Sequence, residues 1–155
     1  MIDAAAATAA ARQALLGLQG PAHAAVVRTV ASGEAGPALK IDRLDAPGRG
    51  YYLVPWQDAR GVVLLAQVDG ASGALSSFAV LPMPQTQAVM SAEEARRRAV
   101  AQAPVAGALR LVWQPCRESA SPLQPLYEVP VRSGVVFVAA NGAVHDRLTP
   151  FARGG

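Results

Sequence analysis

The spacing of apolar residues divides the chain into helical and extended stretches. Residues 3–18 are alanine-rich, with Asp3 placed as an N-cap and Gly17, Gly20 and Pro21 as stops, which predicts a helix. Residues 22–30 carry Val26, Val27 and Val30 and fit either a strand or a helical extension. After a turn at 33–37, Leu39 to Leu44 alternates loosely and predicts a strand ending at Pro47-Gly48-Arg49-Gly50. Three more strands are expected at 51–56, 61–68 and 74–81, with Tyr52, Val54 and Trp56 on one face. Asp69-Gly70-Ala71-Ser72-Gly73 supplies a hairpin turn, because Asp and Gly tolerate the backbone angles that such turns require. Pro82 and Pro84 are expected to end this run and open a linker.

The second half starts with a capping box, Ser91 with Glu94 three residues on, and predicts a helix to about Ala103 before Pro104. Ala92, Ala95, Ala99 and Ala103 form a small-residue stripe suited to close packing on a sheet. Glu93 with Arg97 and Glu94 with Arg98 are i,i+4 pairs on the solvated face. Strands are expected at 108–114, 126–131, 135–140 and 143–148, with Ser133-Gly134 and Asn141-Gly142 as hairpin turns. The stretch 115–125 is expected to be a mobile loop.

The two halves echo one another. Tyr52-Leu53-Val54-Pro55 answers Tyr127-Glu128-Val129-Pro130, Gly61-Val62-Val63 answers Gly134-Val135-Val136, and Gly73-Ala74-Leu75 answers Gly142-Ala143-Val144. The expectation is an α+β fold of two repeated units, each a helix packed on a short antiparallel sheet, divided as 1–83 and 84–155.

Ser91-Ala92-Glu93-Glu94-Ala95, then Tyr127-Glu128-Val129 and an apolar strand into a Gly hairpin, resembles a PepSY domain. In the first half, Val68-Asp69-Gly70-Ala71-Ser72-Gly73-Ala74-Leu75 is similar to that family's V-D-A-x-T-G-x-V hairpin. The likeness covers residues 50–81 and 90–148; the second hairpin, Ala139-Ala140-Asn141-Gly142, lacks the aspartate, and residues 1–45 match only in the type of element. The resemblance implies tandem PepSY-like, propeptide or peptidase-inhibitor-type modules. It further implies an extracytoplasmic protein, periplasmic or secreted, that binds or restrains a partner.

Composition narrows the chemistry. The chain is 52% hydrophobic and only 5% aromatic, so its core is aliphatic, and no apolar run approaches the length of a membrane helix. The net charge of +3 comes from basic residues scattered from Arg12 to Arg153, all but Lys40 arginine, with no interleaved aromatics. That pattern argues against nucleic-acid binding. Cys116 is the single cysteine, so an internal disulfide is excluded. Cys116 with His145 or His23 would need an orienting third group, and no such arrangement is evident in the sequence. Two distant histidines and no carboxylate cluster give no metal or cofactor signature. Trp56 and Trp113 lie at strand ends and read either as core lids or as aromatic anchors for a partner, with Arg117 and Glu118 as a polar rim. The expected function is therefore non-catalytic binding of a protein or peptide, in a protease-inhibitory or chaperone-like envelope role. A carrier of small apolar ligands or lipids, with a pocket between helix and sheet, is the alternative.

Overall fold

The computed structural model describes residues 1–152; Arg153 lies outside them. Helix α1 (Ala4–Leu16) starts where the Asp3 carboxylate accepts the Ala6 N–H at 2.7 Å, and ends at Gly17. A 3₁₀ turn, Pro21–His23, leads into α2 (Ala24–Ser32), so the ambiguous 22–30 stretch is helical. Val26 and Val30, four apart, are the buried positions of α2, which is the helical and not the strand period.

The strands are β1 (Glu34–Ala35), β2 (Leu39–Arg43), β3 (Gly50–Asp58), β4 (Gly61–Asp69), β5 (Leu75–Gln85), β6 (Arg110–Trp113), β7 (Leu126–Val131), β8 (Gly134–Val138) and β9 (Val144–His145). Helix α3 (Ala92–Val100) lies between β5 and β6 in sequence, and its N-cap Ser91 accepts from the Glu94 N–H at 3.1 Å. The β3–β4 and β7–β8 turns carry Gly61 and Gly134 at φ of 127° and 144°, where a side chain would be strained. This is the physical content of the paired Gly-Val-Val echoes.

The expected fold of two repeated helix-on-sheet units is not what forms. Among the described residues the strands make one nine-stranded mixed sheet in the order β5-β4-β3-β2-β6-β7-β8-β9, with β1 paired to β3, and the structure is mainly β with three short α-helices. The departure comes from β2. Asp42 pairs with Val112 and Arg43 with Trp113 in parallel register, so a strand from the first half of the sequence joins strands of the second. The β3–β4, β4–β5, β6–β7, β7–β8 and β8–β9 pairs are antiparallel. The chain has two compact units accordingly, Met1–Lys40 with Arg49–Ala88, and Ile41–Gly48 with Val89–Gly155.

In the first unit α1 and α2 cover one face of β3 and β4. Ala7, Ala11 and Leu15 from α1 meet Val54, Trp56 and Leu64 from the strands, all fully buried. Alternation puts Tyr51, Leu53, Val63 and Leu65 on the opposite face, and these are buried too. In the second unit Ala95 and Ala99 of α3 pack on Val129, Val131, Val136 and Val138. Ala95 and Ala99 of the small-residue stripe thus pack on the sheet, with Ala103 partly buried beside them, whereas Ala92 is exposed. Among the described residues no helix is long and apolar enough to cross a membrane.

Candidate functional site

The sequence singles out Trp56, Trp113, Arg117 and Glu118. Trp56 is fully buried on the helix-covered face of β3, under the Arg12 guanidinium, which sits 5.7 Å from its ring centroid. Trp113 ends β6 and is only 7% exposed; Arg43, held by Asp45, lies 5.3 Å from its ring centroid. Both indole N–H groups are buried and find no hydrogen-bond partner among the described residues. Each ring is a packed core element capped by a cation, and neither presents a free aromatic face.

The loop after Trp113 is knitted together by its own polar groups. Buried Ser119 donates to the carbonyls of Ser121 and Gln124, while the Ser121 hydroxyl accepts the Leu123 N–H. The expected mobile loop is therefore internally bonded. Glu118 accepts both the backbone N–H and the hydroxyl of Thr149 at 2.8 Å, and these bonds, with burial opposing them, hold its carboxyl below the usual range. Arg117 is exposed, and its N–H donates to the Thr149 carbonyl at 2.9 Å. Glu118 and Arg117 thus tie Thr149 to the loop.

Cys116 sits inside this arrangement, fully buried, with its thiol toward the Ser119 carbonyl at 3.7 Å. Burial is the main cause raising its pKa, which keeps it a neutral thiol at physiological pH. Among the described residues no group of three or more His, Cys, Asp or Glu is placed to hold a metal ion.

A different region carries the features of a binding surface. Strand β5 is the last strand on its side of the sheet and runs for eleven residues, Leu75–Gln85. Pro82 and Pro84 do not end the strand as the sequence suggests; it continues through both. Proline is compatible with an edge strand, where a missing N–H need not break a ladder.

The backbone directions follow from the neighbouring hairpin. Asp69 donates to Ala74 and accepts from Gly73, toward β5, whereas the Gly70 N–H donates to Gly50 on the β3 side. Alternation along β4 then turns Gln67 and Leu65 toward β5, opposite Ser77 and Ala79. Phe78 and Val80 accordingly direct their N–H and C=O groups outward, along the open edge. Val80 is 58% exposed and Met83 75%, while Phe78 lies partly buried against the α1/α2 core and edge-on to the His23 ring. From Gly70 to Ala92 there is no Asp, Glu, Lys, Arg or His.

The other end of the sheet differs in kind. Strand β9 is two residues long and runs into Asp146-Arg147. Short, charged or proline-bearing edges resist further pairing; the neutral stretch of β5 ahead of Pro82, residues 75–81, is free of all three. Phe78, Val80 and Met83 were not among the residues picked from the sequence. The available signals were the uncharged stretch itself and the i,i+2 spacing of Pro82 and Pro84.

No family model matches the chain, and neither does any curated protein or solved structure.

Proposed function

We propose that this protein is a non-catalytic binding module that takes an extended segment of a protein partner as an added strand on β5. The observation that carries the reading is the eleven-residue edge at Leu75–Gln85, uncharged throughout, with outward backbone groups at Phe78 and Val80. Main-chain hydrogen bonds would supply the affinity, and apolar Val80 and Met83 would favour a neutral, β-prone segment over a charged one. The PepSY-like hairpin and capping motifs support the same class of role, in which a partner is bound or restrained. A protease or a non-native polypeptide of the cell envelope is the kind of partner that offers such a segment.

The test is fluorescence anisotropy with a fluorescein-labelled, eight-residue alternating Thr-Val peptide. Saturable binding that a Val80→Lys substitution weakens by at least about tenfold is the expected result. Equal binding by wild type and variant, or none by either, would refute the assignment to this edge.

A further inference from the structure

We infer that the strand seated on β5 in the isolated protein is β5 of a second copy, giving a closed two-fold dimer; this rests on the strand-accepting reading above. The argument begins with self-complementarity. In a two-fold antiparallel pair every residue faces its own strand, so any charge on the edge would be placed near its copy and would repel it. The segment from Gly70 to Ala92 contains no ionisable side chain, so β5 carries no such penalty.

The backbone pattern also selects a register. Placing the two-fold axis at Ala79 sets Phe78 of one copy opposite Val80 of the other, and the reverse. Both residues turn their N–H and C=O groups outward, so this register satisfies all four groups on each strand. Shifting the axis to Val80 would set Phe78 opposite Pro82, which has no N–H to give. The axis position itself brings alanine against alanine, the smallest pair available for a close non-hydrogen-bonded contact. Val80 and Met83, the most exposed large apolar residues of the strand, lie beside the added strand and lose water when it docks.

Closure follows from the two edges being unlike. Among the described residues only β5 is a long, neutral edge; β9 offers two residues followed by Asp146 and Arg147. A chain with one open edge pairs once and stops, whereas two open edges would propagate into fibres. A single strand pair is a small contact, so the dimer is expected to dissociate on dilution.

Sedimentation velocity across a dilution series, with backbone hydrogen exchange at the highest and lowest concentrations, tests the inference. The expected result is a monomer–dimer equilibrium, slower exchange at Phe78 and Val80 in the dimer, and no larger species. Val80→Lys should weaken the dimer by at least about tenfold, while Val100→Lys, at an equally exposed apolar site on α3, should leave it unchanged. Melting temperature of the dilute variants checks that both are folded. A dimer that Val80→Lys leaves intact would place the interface elsewhere and overturn the inference. A wild type monomeric throughout that still binds the Thr-Val peptide would overturn the inference and leave the strand-accepting reading standing. A monomer that binds no peptide would overturn both.

Discussion

The two helix-covered cores begin alike and end differently. In the first unit the Tyr52 hydroxyl donates to the Ile2 carbonyl at 2.8 Å, and in the second the Tyr127 hydroxyl donates to the Met90 carbonyl at 2.9 Å. In each case the acceptor directly precedes the helix N-cap, Asp3 or Ser91, so a strand tyrosine fixes where a helix starts. Beyond that shared anchor the contents diverge. The first core has two helices and large buried side chains, including Leu15 and Trp56. The second has one helix whose buried positions are Ala95 and Ala99, set against valines. The same local clamp therefore serves a thick core and a thin one, and local likeness does not dictate how much apolar surface is buried behind it.

Substitutions in the two cores separate these contributions. Leu15→Ala should cost about 3 kcal/mol, because α1 is closed in and a cavity would remain. Val129→Ala should cost about 2 kcal/mol, since fewer methyl groups are lost. Urea denaturation of both proteins checks the order, and a larger loss at Val129 would reverse the reading of which core is thicker. Tyr52→Phe and Tyr127→Phe should each cost about 1 kcal/mol, the worth of one hydrogen bond. Clearly unequal losses in the same denaturation assay would show that the two clamps are not energetically equivalent.

A smaller effect is expected at alkaline pH. Burial pushes the Tyr127 phenol above its usual pKa, so its neutral form is the one that folding favours. Its contribution is complete below about pH 10, the unfolded value, and is lost as pH rises through the higher folded value. Tyr127→Phe should flatten the stability profile in that window; an unchanged alkaline limb would remove Tyr127 as its source.

Much of the local structure was legible in the sequence. Asp3 and Ser91 cap the helices they were expected to cap, and Gly61 and Gly134 make the turns that their positions suggested. These features depend on neighbours a few residues apart, which a single sequence displays directly. The architecture was not legible, because it depends on Asp42 and Arg43 finding Val112 and Trp113. Nothing in a short, loosely alternating strand specifies so distant a partner. Repetition in sequence suggested self-contained repeats, yet the same strand-forming segments can enter one sheet. The candidate site was hidden for a related reason. An edge is a property of strand order, so Leu75–Gln85 resembles any apolar strand until the sheet is assembled. The two tryptophans are conspicuous in the sequence, and both are packed inside.

The parallel pairing of β2 with β6 also sets a timetable. Strand β3 and β4 are joined by a tight turn and can pair as soon as both exist, but β2 must wait for a strand made much later. Closing so long a loop is entropically costly before any contact repays it, which makes this step a slow one. Until it is taken, the backbone of Asp42 and Arg43 stays without its β6 partner. During synthesis the edge of β2 would therefore stay open for a time, as that of β5 does, and would close only when Trp113 arrives.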